Sequence, residues 1–289
     1  MDNYSVPLSA MSSVPLFLVK ANDAEYNSNR TGRTITPSPC PVCRGESMEE
    51  KIKSENMVIA GPCSIESLEQ AMETAKYLKS LGVKNFRGGA FKPRTSPDSF
   101  QGLGHEALEI MKAVKKETGL ITSTEVMDGK DLDAVYDAVD IIQIGSRNMH
   151  NYTLLQTVGA QNKPIILKRG MSATIEEWIK ASEYIRREGN ENIIMCERGI
   201  RTFDTYTRNT MDIAAIPIIK KETGLRVIAD PSHGTGRKEL ILPMSRAALA
   251  AGADGIMVEV HPNPAQALSD GEQSLSFEEF YEIYQEIKN

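Results

Sequence analysis

The sequence is short of the features that mark membrane and nucleic-acid-binding proteins. Its 289 residues include only 6% aromatic side chains and carry a net charge of −6, so the chain does not offer the basic, stacking surface that nucleic acids need. The longest apolar run near its start, "VPLFLV", is too short to cross a bilayer or form a signal core, and no basic segment precedes it. We therefore expect no membrane and no nucleic-acid partner.

Cysteine is also scarce. The four cysteines, Cys40, Cys43, Cys63 and Cys196, have no repeating spacing of the kind that builds a disulfide framework. Together with the missing secretion signal, this predicts a cytoplasmic protein. The pair "CPVC" supplies two of the four ligands that a structural zinc site requires, so two loop cysteines are the simpler interpretation.

The first fifty residues differ in composition from the rest of the chain. They are rich in Ser, Pro, Asn and Thr and show no sustained apolar period, which is typical of segments that do not pack. We predict an unstructured N-terminal extension over residues 1–50 and one folded domain over residues 51–289. The Arg-Gly-Glu before Met48 can be encoded by a purine-rich run that resembles a ribosome-binding site, which suggests the hypothesis that translation starts at Met48.

From Met57 onwards, short β-branched runs alternate with amphipathic helical segments. The runs are almost continuously apolar, as in parallel strands that are covered on both faces. They read "MVIAG", "KNFRGG", "LITSTEV", "DIIQIGS", "PIILKRG", "NIIMCERG", "RVIADPSH" and "GIMVEVH". Capping-box spacings open three of the helical segments, "SLEQ" from Ser67, "TIEE" from Thr174 and "SFEE" from Ser276. Eight such units predict an α/β fold of the (β/α)8 TIM barrel type.

Every predicted strand ends in a chemically capable side chain. In chain order these are Cys63, Arg87, Glu125, Arg147, Lys168, Arg198, His233 and Glu259. In such a barrel the carboxyl ends of the strands meet at one mouth, where the active sites of these folds lie. Any one of these residues can be a satisfied structural group, but clustering all of them without a function would be costly. The pattern predicts an active site at this mouth.

Basic residues form the first of two groups at the mouth. Arginine and lysine between glycines, as in "FRGGAFKPRTSPDSFQGLG" from Phe86, suit a doubly anionic ligand, because the guanidinium fork matches phosphate oxygens and glycine permits close approach. A solvated basic loop is the alternative for that stretch alone. The basic cluster that we expect to bind a highly charged anion comprises Arg87, Lys92, Arg147, Lys168 and Arg198.

A thiol, an imidazole and carboxylates form the second group. The metal-capable group comprises Cys63, His233, Glu259 and Asp270. Its mixture of soft and hard donors suits a divalent metal ion and leaves manganese, iron, zinc and cobalt open. His261 is an alternative imidazole ligand, and we favour His233.

Seven segments of the chain resemble the I-beta type of 3-deoxy-D-arabino-heptulosonate 7-phosphate (DAHP) synthases. They are "GPCSIES", "FRGGAFKPRTSPDSFQGLG", "QIGSRNM", "ILKRGM", "CERGIRTFDTYTR", "DPSHGTGR" and "MVEVHPNPAQALSDGEQSL". The resemblance runs from about Met57 to the C-terminus. It implies a metal-dependent transferase that condenses phosphoenolpyruvate with erythrose 4-phosphate, the first step of the shikimate pathway and of aromatic amino acid biosynthesis. No organic cofactor is implied, and we expect a homo-oligomer, either a dimer or a tetramer.

The same resemblance implies a role for each site residue. The whole basic cluster would hold the phosphate and carboxylate of phosphoenolpyruvate, and the metal-capable group matches the family's metal ligands. The phosphate of erythrose 4-phosphate would be held by Arg94, Thr95 and Ser96. Glu125 would lie near the carbon that water attacks. The residues with a catalytic role would be Lys92, Glu125, Lys168 and His233.

Three other interpretations compete with this one. The sister synthase of 3-deoxy-manno-octulosonate 8-phosphate shares the barrel, but its loop resembles Lys-Ala-Asn-Arg-Ser where this chain has "KPRTS" from Lys92, which favours the shorter sugar. An aldolase that forms a Schiff base through Lys168 would leave the metal-capable group unexplained. A catalytically inactive binding subunit would require a lost ligand or arginine, and none is lost, although a fold alone never proves activity.

Overall fold

A computed structural model describes residues 56–93 and 96–288. In these ranges the chain forms eight strands, β1 Met57–Gly61, β2 Asn85–Arg87, β3 Ile121–Val126, β4 Ile141–Ile144, β5 Ile165–Lys168, β6 Ile193–Glu197, β7 Arg226–Ala229 and β8 Gly255–Glu259. Each strand pairs in parallel with the next, and β8 pairs with β1 to close a barrel. The predicted (β/α)8 TIM barrel is confirmed. The predicted extension over residues 1–50, with Cys40, Cys43 and Met48, lies outside the described residues.

Nine α-helices accompany the strands in this part of the chain. They are α1 Leu68–Ser80, α2 His105–Thr118, α3 Leu132–Ala138, α4 Tyr152–Gly159, α5 Ile175–Arg187, α6 Ala215–Thr223, α7 Pro231–Thr235, α8 Ile241–Ala250 and α9 Phe277–Ile287. Short 3-10 turns follow several strands, among them Ser146–Asn148 after β4 and Gly271–Gln273 after β8. Among the described helices, none has the length and apolar character that spanning a membrane requires.

Two of the three predicted capping boxes are formed. Thr174 and Glu177 at α5, and likewise the pair at the start of α9, exchange side-chain and backbone hydrogen bonds. At α1 the predicted box is only half right. Ser67 accepts from the Gln70 amide at 3.1 Å, but the Gln70 side chain accepts from Glu66 N at 3.4 Å and donates to Ser64 O at 3.2 Å. A glutamine amide both donates and accepts, so it serves the preceding turn instead of the cap.

The inside of the barrel has an apolar layer below a polar one. The apolar layer is a buried cluster of Met57, Ile59, Ile141, Ile166, Ile194, Cys196, Ile228 and Met257. Side chains alternate between the two faces of a strand, so residues two positions further along point to the same side. The next residues on this side are Gln143, Lys168 and Glu259 within their strands, and Arg198 and Asp230 one position beyond the ends of β6 and β7. The strands thus carry their polar side chains to the mouth and keep the interior below it apolar.

A second and larger core lies between the outer faces of the strands and the helices. Trp178 on α5 is fully buried there, and its Nε1 donates to Leu167 O on β5 at 3.2 Å. Burial of side chains such as Trp178 and Phe86 is the main source of stability for the barrel. The polar groups at the mouth are therefore supported by a scaffold that does not depend on them.

Candidate active site

A cavity of about 340 Å³ opens at the carboxyl ends of the strands. Eight of the predicted site residues line it, namely Lys92, Ser96, Glu125, Arg147, Lys168, Arg198, His233 and Asp270. Cys63 and Arg87 line a smaller adjoining space, which shares Lys92 and Glu125 with the larger one. Arg94 and Thr95 lie outside the described residues. The structure therefore brings nearly all of the predicted residues to one place.

The basic cluster differs in burial from one member to the next. Arg87, Lys168 and Arg198 are buried, whereas Arg147 is exposed on the 3-10 turn after β4. Burial lowers the pKa of Arg198 from its ordinary value, against the opposing influence of Asp230. A buried cation whose charged form is disfavoured gains from an anionic partner, so this part of the cavity suits an anionic ligand.

The four side chains of the metal-capable group meet at one point. Each offers a ligand atom, and these atoms all lie within 4.8 Å of one another. Cys63 Sγ is 3.0 Å from Asp270 Oδ2, and His233 Nε2 is 3.2 Å from Glu259 Oε1. Bonds of about 2.0–2.3 Å to a single ion would span such a set. The donor atoms and their spacing therefore fit a divalent metal.

His233, Glu259 and Asp270 come from three different local structures. His233 lies in α7, where the Asp230 side chain caps the helix by accepting from His233 N at 3.0 Å. Glu259 is the last residue of β8. Asp270 has a left-handed backbone with φ of 53°, and its carbonyl accepts from Ser274 Oγ at 3.0 Å. A non-glycine residue in this conformation is uncommon and needs such support.

The thiol and the two carboxyl groups of the metal-capable group are each in contact with a cation. Lys92 Nζ lies 2.8 Å from Cys63 Sγ, and Arg87 Nη1 lies 2.9 Å from Glu259 Oε1. Arg208 Nη1 lies 3.3 Å from Asp270 Oδ1. Opposite charges at these distances favour the ionised form of each acid.

Burial and charge act differently on these acids. Burial, reinforced by Glu259, raises the pKa of Cys63 to about 12. Burial also opposes ionisation of Glu259, but the charges of His233 and Arg87 hold its pKa below the usual range. The metal-free site therefore contains a protonated thiol beside ionised carboxylates, and a metal must displace the proton of Cys63.

Asp230 is a central residue that the sequence analysis missed. Its Oδ2 accepts from Lys168 Nζ at 2.5 Å and pairs with His233 Nδ1 at 2.8 Å. Burial opposes its ionisation, but His233 and Lys168 hold its pKa well below the usual range. Because Nδ1 of His233 faces Asp230, Nε2 faces the metal-capable group. The signal was present, since Asp230 follows the inward-facing Ile228 by two positions, but an Asp before Pro is also a common helix cap.

Glu125 lies among the cations. Its Oε2 accepts from Gln143 Nε2 at 3.3 Å, while within the described part of the chain its buried Oε1 has no hydrogen-bond partner. Burial raises the pKa of Glu125, opposed by Lys92 and Lys168. An added Cβ on Gly145 would lie 1.9 Å from Oε1, so the glycine provides the space for this carboxyl group.

A buried network behind the cavity was also missed. Arg169 Nη1 contacts Glu197 Oε2 at 2.9 Å and Asp212 Oδ2 at 2.8 Å, and Glu197 Oε1 accepts from Gly199 N at 2.7 Å. These contacts hold both ends of the loop between β6 and α6, which begins at Arg198. The pairing of Arg169 with Glu197 could not be read from the sequence, where Arg198 alone was selected.

His261 takes no part in the metal-capable group. Its Nδ1 accepts from Asn263 N at 3.0 Å, and its Nε2 lies 3.4 Å from Glu66 Oε2. It thereby joins the loop after β8 to the loop after β1. This placement favours His233 as the imidazole of the group.

Comparisons with known proteins agree with this site. Residues 48–289 match the DAHP synthetase I family. The phospho-2-dehydro-3-deoxyheptonate aldolase of Thermotoga maritima is 56% identical over 231 residues, which is 80% of this chain and 68% of that protein. Its crystal structure superposes with a TM-score of 0.78 over 80% of this chain and 68% of that one. The 2-dehydro-3-deoxyphosphooctonate aldolase of Legionella pneumophila is 33% identical over 249 residues, covering 80% of this chain and 90% of that protein.

Proposed function

This chain belongs to the DAHP synthetase I family, and on that basis we propose how its barrel mouth condenses phosphoenolpyruvate with erythrose 4-phosphate. The products are DAHP and inorganic phosphate, and the reaction is the first step of the shikimate pathway. One observation carries the assignment. His233 and Asp270 of the metal-capable group border the same cavity as Glu125 and most of the basic cluster, and the ligand atoms of that group lie within 4.8 Å of one another. That arrangement suits an aldehyde and a phosphate ester that must react with each other.

The basic cluster holds phosphoenolpyruvate. Arg198 and Arg147 border the cavity on the loops that follow β6 and β4, and they take the phosphate. Arg87 and Lys92, deeper in the mouth, take the carboxylate. Lys168, held at 2.5 Å by Asp230, lies between the two ends. Preorganised cations of this kind stabilise the charge that develops on departing phosphate.

Cys63, His233, Glu259 and Asp270 hold a divalent metal ion, either manganese, iron, zinc or cobalt. When bound, the ion supplies Lewis-acid polarisation of the aldehyde oxygen. Asp230 fixes the ring of His233, and Lys92, 2.8 Å from Cys63 Sγ, favours the thiolate that metal binding requires. Neighbouring side chains that hold the metal-binding residues in position in this way are a regular feature of metal sites.

The remaining steps use the side chains around the cavity. C3 of phosphoenolpyruvate forms a bond to the aldehyde carbon, whose oxygen takes a proton from Lys92. Burial disfavours the charge of Lys92, but Cys63 and Glu259 raise its pKa, so it carries that proton. Glu125 directs water to C2 through Oε1 and accepts the water proton. The C2–O bond to phosphate then breaks, the C2 hydroxyl becomes the ketone as its proton passes to the departing phosphate, and inorganic phosphate leaves.

The sugar phosphate enters from the rim of the cavity. Ser96 is exposed there, and with Arg94 and Thr95 it takes the phosphate of erythrose 4-phosphate. Its aldehyde then lies towards the metal-capable group. We place the enzyme in the cytoplasm, where a free Cys63 thiol is preserved, and expect a dimer or tetramer.

The test is an assay of phosphoenolpyruvate consumption with erythrose 4-phosphate, before and after chelation. We expect activity that chelation abolishes and that added Mn²⁺ or Co²⁺ restores. An active enzyme after complete metal removal would contradict the metal site. Arabinose 5-phosphate is the matched substrate, because the similarity to an octonate aldolase makes the longer sugar the second candidate.

A further inference from the structure

Gln273 connects one metal-capable carboxylate to a distant loop. It is 3% exposed, its Nε2 donates to Glu259 Oε2 at 2.5 Å, and its Oε1 accepts from Arg208 Nη1 at 2.9 Å. A carboxylate only accepts and a guanidinium only donates, so these two partners fix the orientation of the amide. A buried amide with both ends engaged is costly to disturb.

Arg208 comes from the loop between β6 and α6 and also contacts Asp270 Oδ1, at 3.3 Å. Its backbone N donates to Thr235 O at 2.8 Å, and the neighbouring Asn209 Nδ2 donates to His233 O at 3.0 Å. The loop is therefore anchored to α7, the helix that carries His233. Arg208 thus lies on an element that is fixed to a third member of the metal-capable group.

In Glu259 and in Asp270, the two oxygens of the carboxylate have different kinds of contact. In Glu259, Oε2 is held by Gln273 while Oε1 lies 3.2 Å from His233 Nε2. In Asp270, Oδ1 is held by Arg208 while Oδ2 lies 3.0 Å from Cys63 Sγ. In both residues, the outer contact holds one oxygen and keeps the other among the ligand atoms, where Glu259 Oε1 also accepts from Arg87 Nη1 at 2.9 Å.

We propose that Gln273 and Arg208 are positioning residues, which hold Glu259 and Asp270 in the orientation that binds metal. This inference rests on the proposed metal site. Neither side chain donates an atom to the ion. Removing either one takes away a contact that fixes the orientation of a carboxylate, and losing such an outer contact typically costs about 10–100-fold in metal affinity.

Titration of the metal-free protein with Co²⁺, followed by thiolate-to-cobalt absorption, tests the proposal without an activity assay. We expect Gln273→Leu to bind Co²⁺ about 10–100-fold more weakly than the unmodified protein. Gln143→Leu is the matched control, because Gln143 is also a buried amide at the mouth that donates to a carboxylate, in its case Glu125. Its Co²⁺ affinity should equal that of the unmodified protein, since Glu125 is outside the metal-capable group.

Arg208 provides a second variant if Gln273→Leu fails to fold, because the side chain of Arg208 is 44% exposed. Arg208→Met should weaken Co²⁺ binding, and Arg208→Lys should restore part of the affinity. In the double variant the two losses should not add, because Arg208 acts partly through Gln273. Unchanged Co²⁺ affinity in both single variants would overturn the positioning role alone. An unmodified protein that takes up no Co²⁺ would overturn the metal site and this inference together.

Discussion

Arg87 on β2 donates a hydrogen bond of 2.9 Å to Glu259 on β8, and both side chains are buried. Strand β1 lies between these two strands, so the pair passes over the end of β1 at the mouth of the barrel. Arg87 is proposed to bind substrate and Glu259 to bind metal. Two groups with different tasks therefore neutralise each other in the metal-free protein.

This pair links metal binding to substrate binding. A cation bound to Glu259 competes with Arg87 for the same oxygen and leaves the guanidinium to the substrate. We expect phosphoenolpyruvate to bind about tenfold more tightly to the metal-loaded protein than to the chelated one, a typical size for coupled sites. Calorimetric titration with Mn²⁺ present and absent measures the difference. Reciprocity requires phosphoenolpyruvate to tighten Mn²⁺ binding equally, and equal affinities in both states would rule out the linkage.

Replacing Cys63 tests whether its thiol is a metal ligand or a buried apolar group. Cys63→Ala should abolish activity and tight metal retention but leave the circular dichroism spectrum intact, because the barrel core lies elsewhere. Cys196→Ala is the control, since Cys196 is equally buried but belongs to the apolar layer. Retained metal in Cys63→Ala after dialysis, measured by elemental analysis, would exclude the thiol as a ligand.

Gly145 tests the placement of Glu125. In Gly145→Ala the new Cβ would lie 1.9 Å from Glu125 Oε1 and 2.5 Å from its Cδ, so the carboxyl group must move. A displacement of about 1 Å at a reacting group can cost on the order of a hundredfold in rate, and we expect a fall of that order in kcat. Gly129→Ala is the control, because its Cβ would meet only Thr157, at 3.9 Å. If both variants keep the unmodified kcat, Glu125 has no catalytic role at this position.

The two-residue alternation along the strands accounts for what could be predicted and what was missed. It places Lys168 and Glu259 directly above inward-facing apolar residues, and both were identified. The same rule also gives Gln143 after Ile141 and Asp230 after Ile228. Arg147 and His233 were predicted from those two segments instead, and they lie beyond the strands, on a 3-10 turn and on α7.

Gln273 and Arg208 could not be predicted in this way. They lie in long loops whose path depends on contacts distant in sequence, such as Arg208 N with Thr235 O. The periodic pattern of apolar residues in the local sequence does not indicate such contacts. The partners of Arg169 could not be predicted for the same reason, because Asp212 is 43 residues away in the chain.

Alkaline pH tests the buried thiol of Cys196. Burial raises its pKa above the ordinary value of 9.0, so above pH 9 the thiol ionises in the unfolded chain but stays protonated in the folded one. The unfolded state then binds fewer protons, and stability falls as pH rises, by about 1.4 kcal/mol per pH unit for this one group. The difference in unfolding free energy between the unmodified protein and Cys196→Ala should shrink by that amount per unit, measured by urea denaturation from pH 9 upwards. A difference that does not change with pH would show that the thiol ionises alike in both states.

Substrate choice depends on the stretch around "KPRTS". Arg94 and Thr95, which we propose as the phosphate anchor, follow Pro93 in the sequence, and Pro93 fixes its own φ. Lys92, which precedes it, contacts Cys63 of the metal-capable group at 2.8 Å. A four-carbon sugar phosphate should span the distance from this phosphate anchor to the aldehyde position. A five-carbon one carries an extra carbon that must fold or clash, and a misplacement of about 1 Å can cost on the order of a hundredfold in rate. We therefore expect kcat/KM for erythrose 4-phosphate to exceed that for arabinose 5-phosphate by about that factor.

Replacing Pro93 and Arg94 with Ala and Asn should weaken mainly the use of the shorter sugar, with the KM of phosphoenolpyruvate as the internal control. Comparable efficiencies on both sugars in the unmodified protein would refute the specificity and leave the barrel and the metal-capable group unaffected.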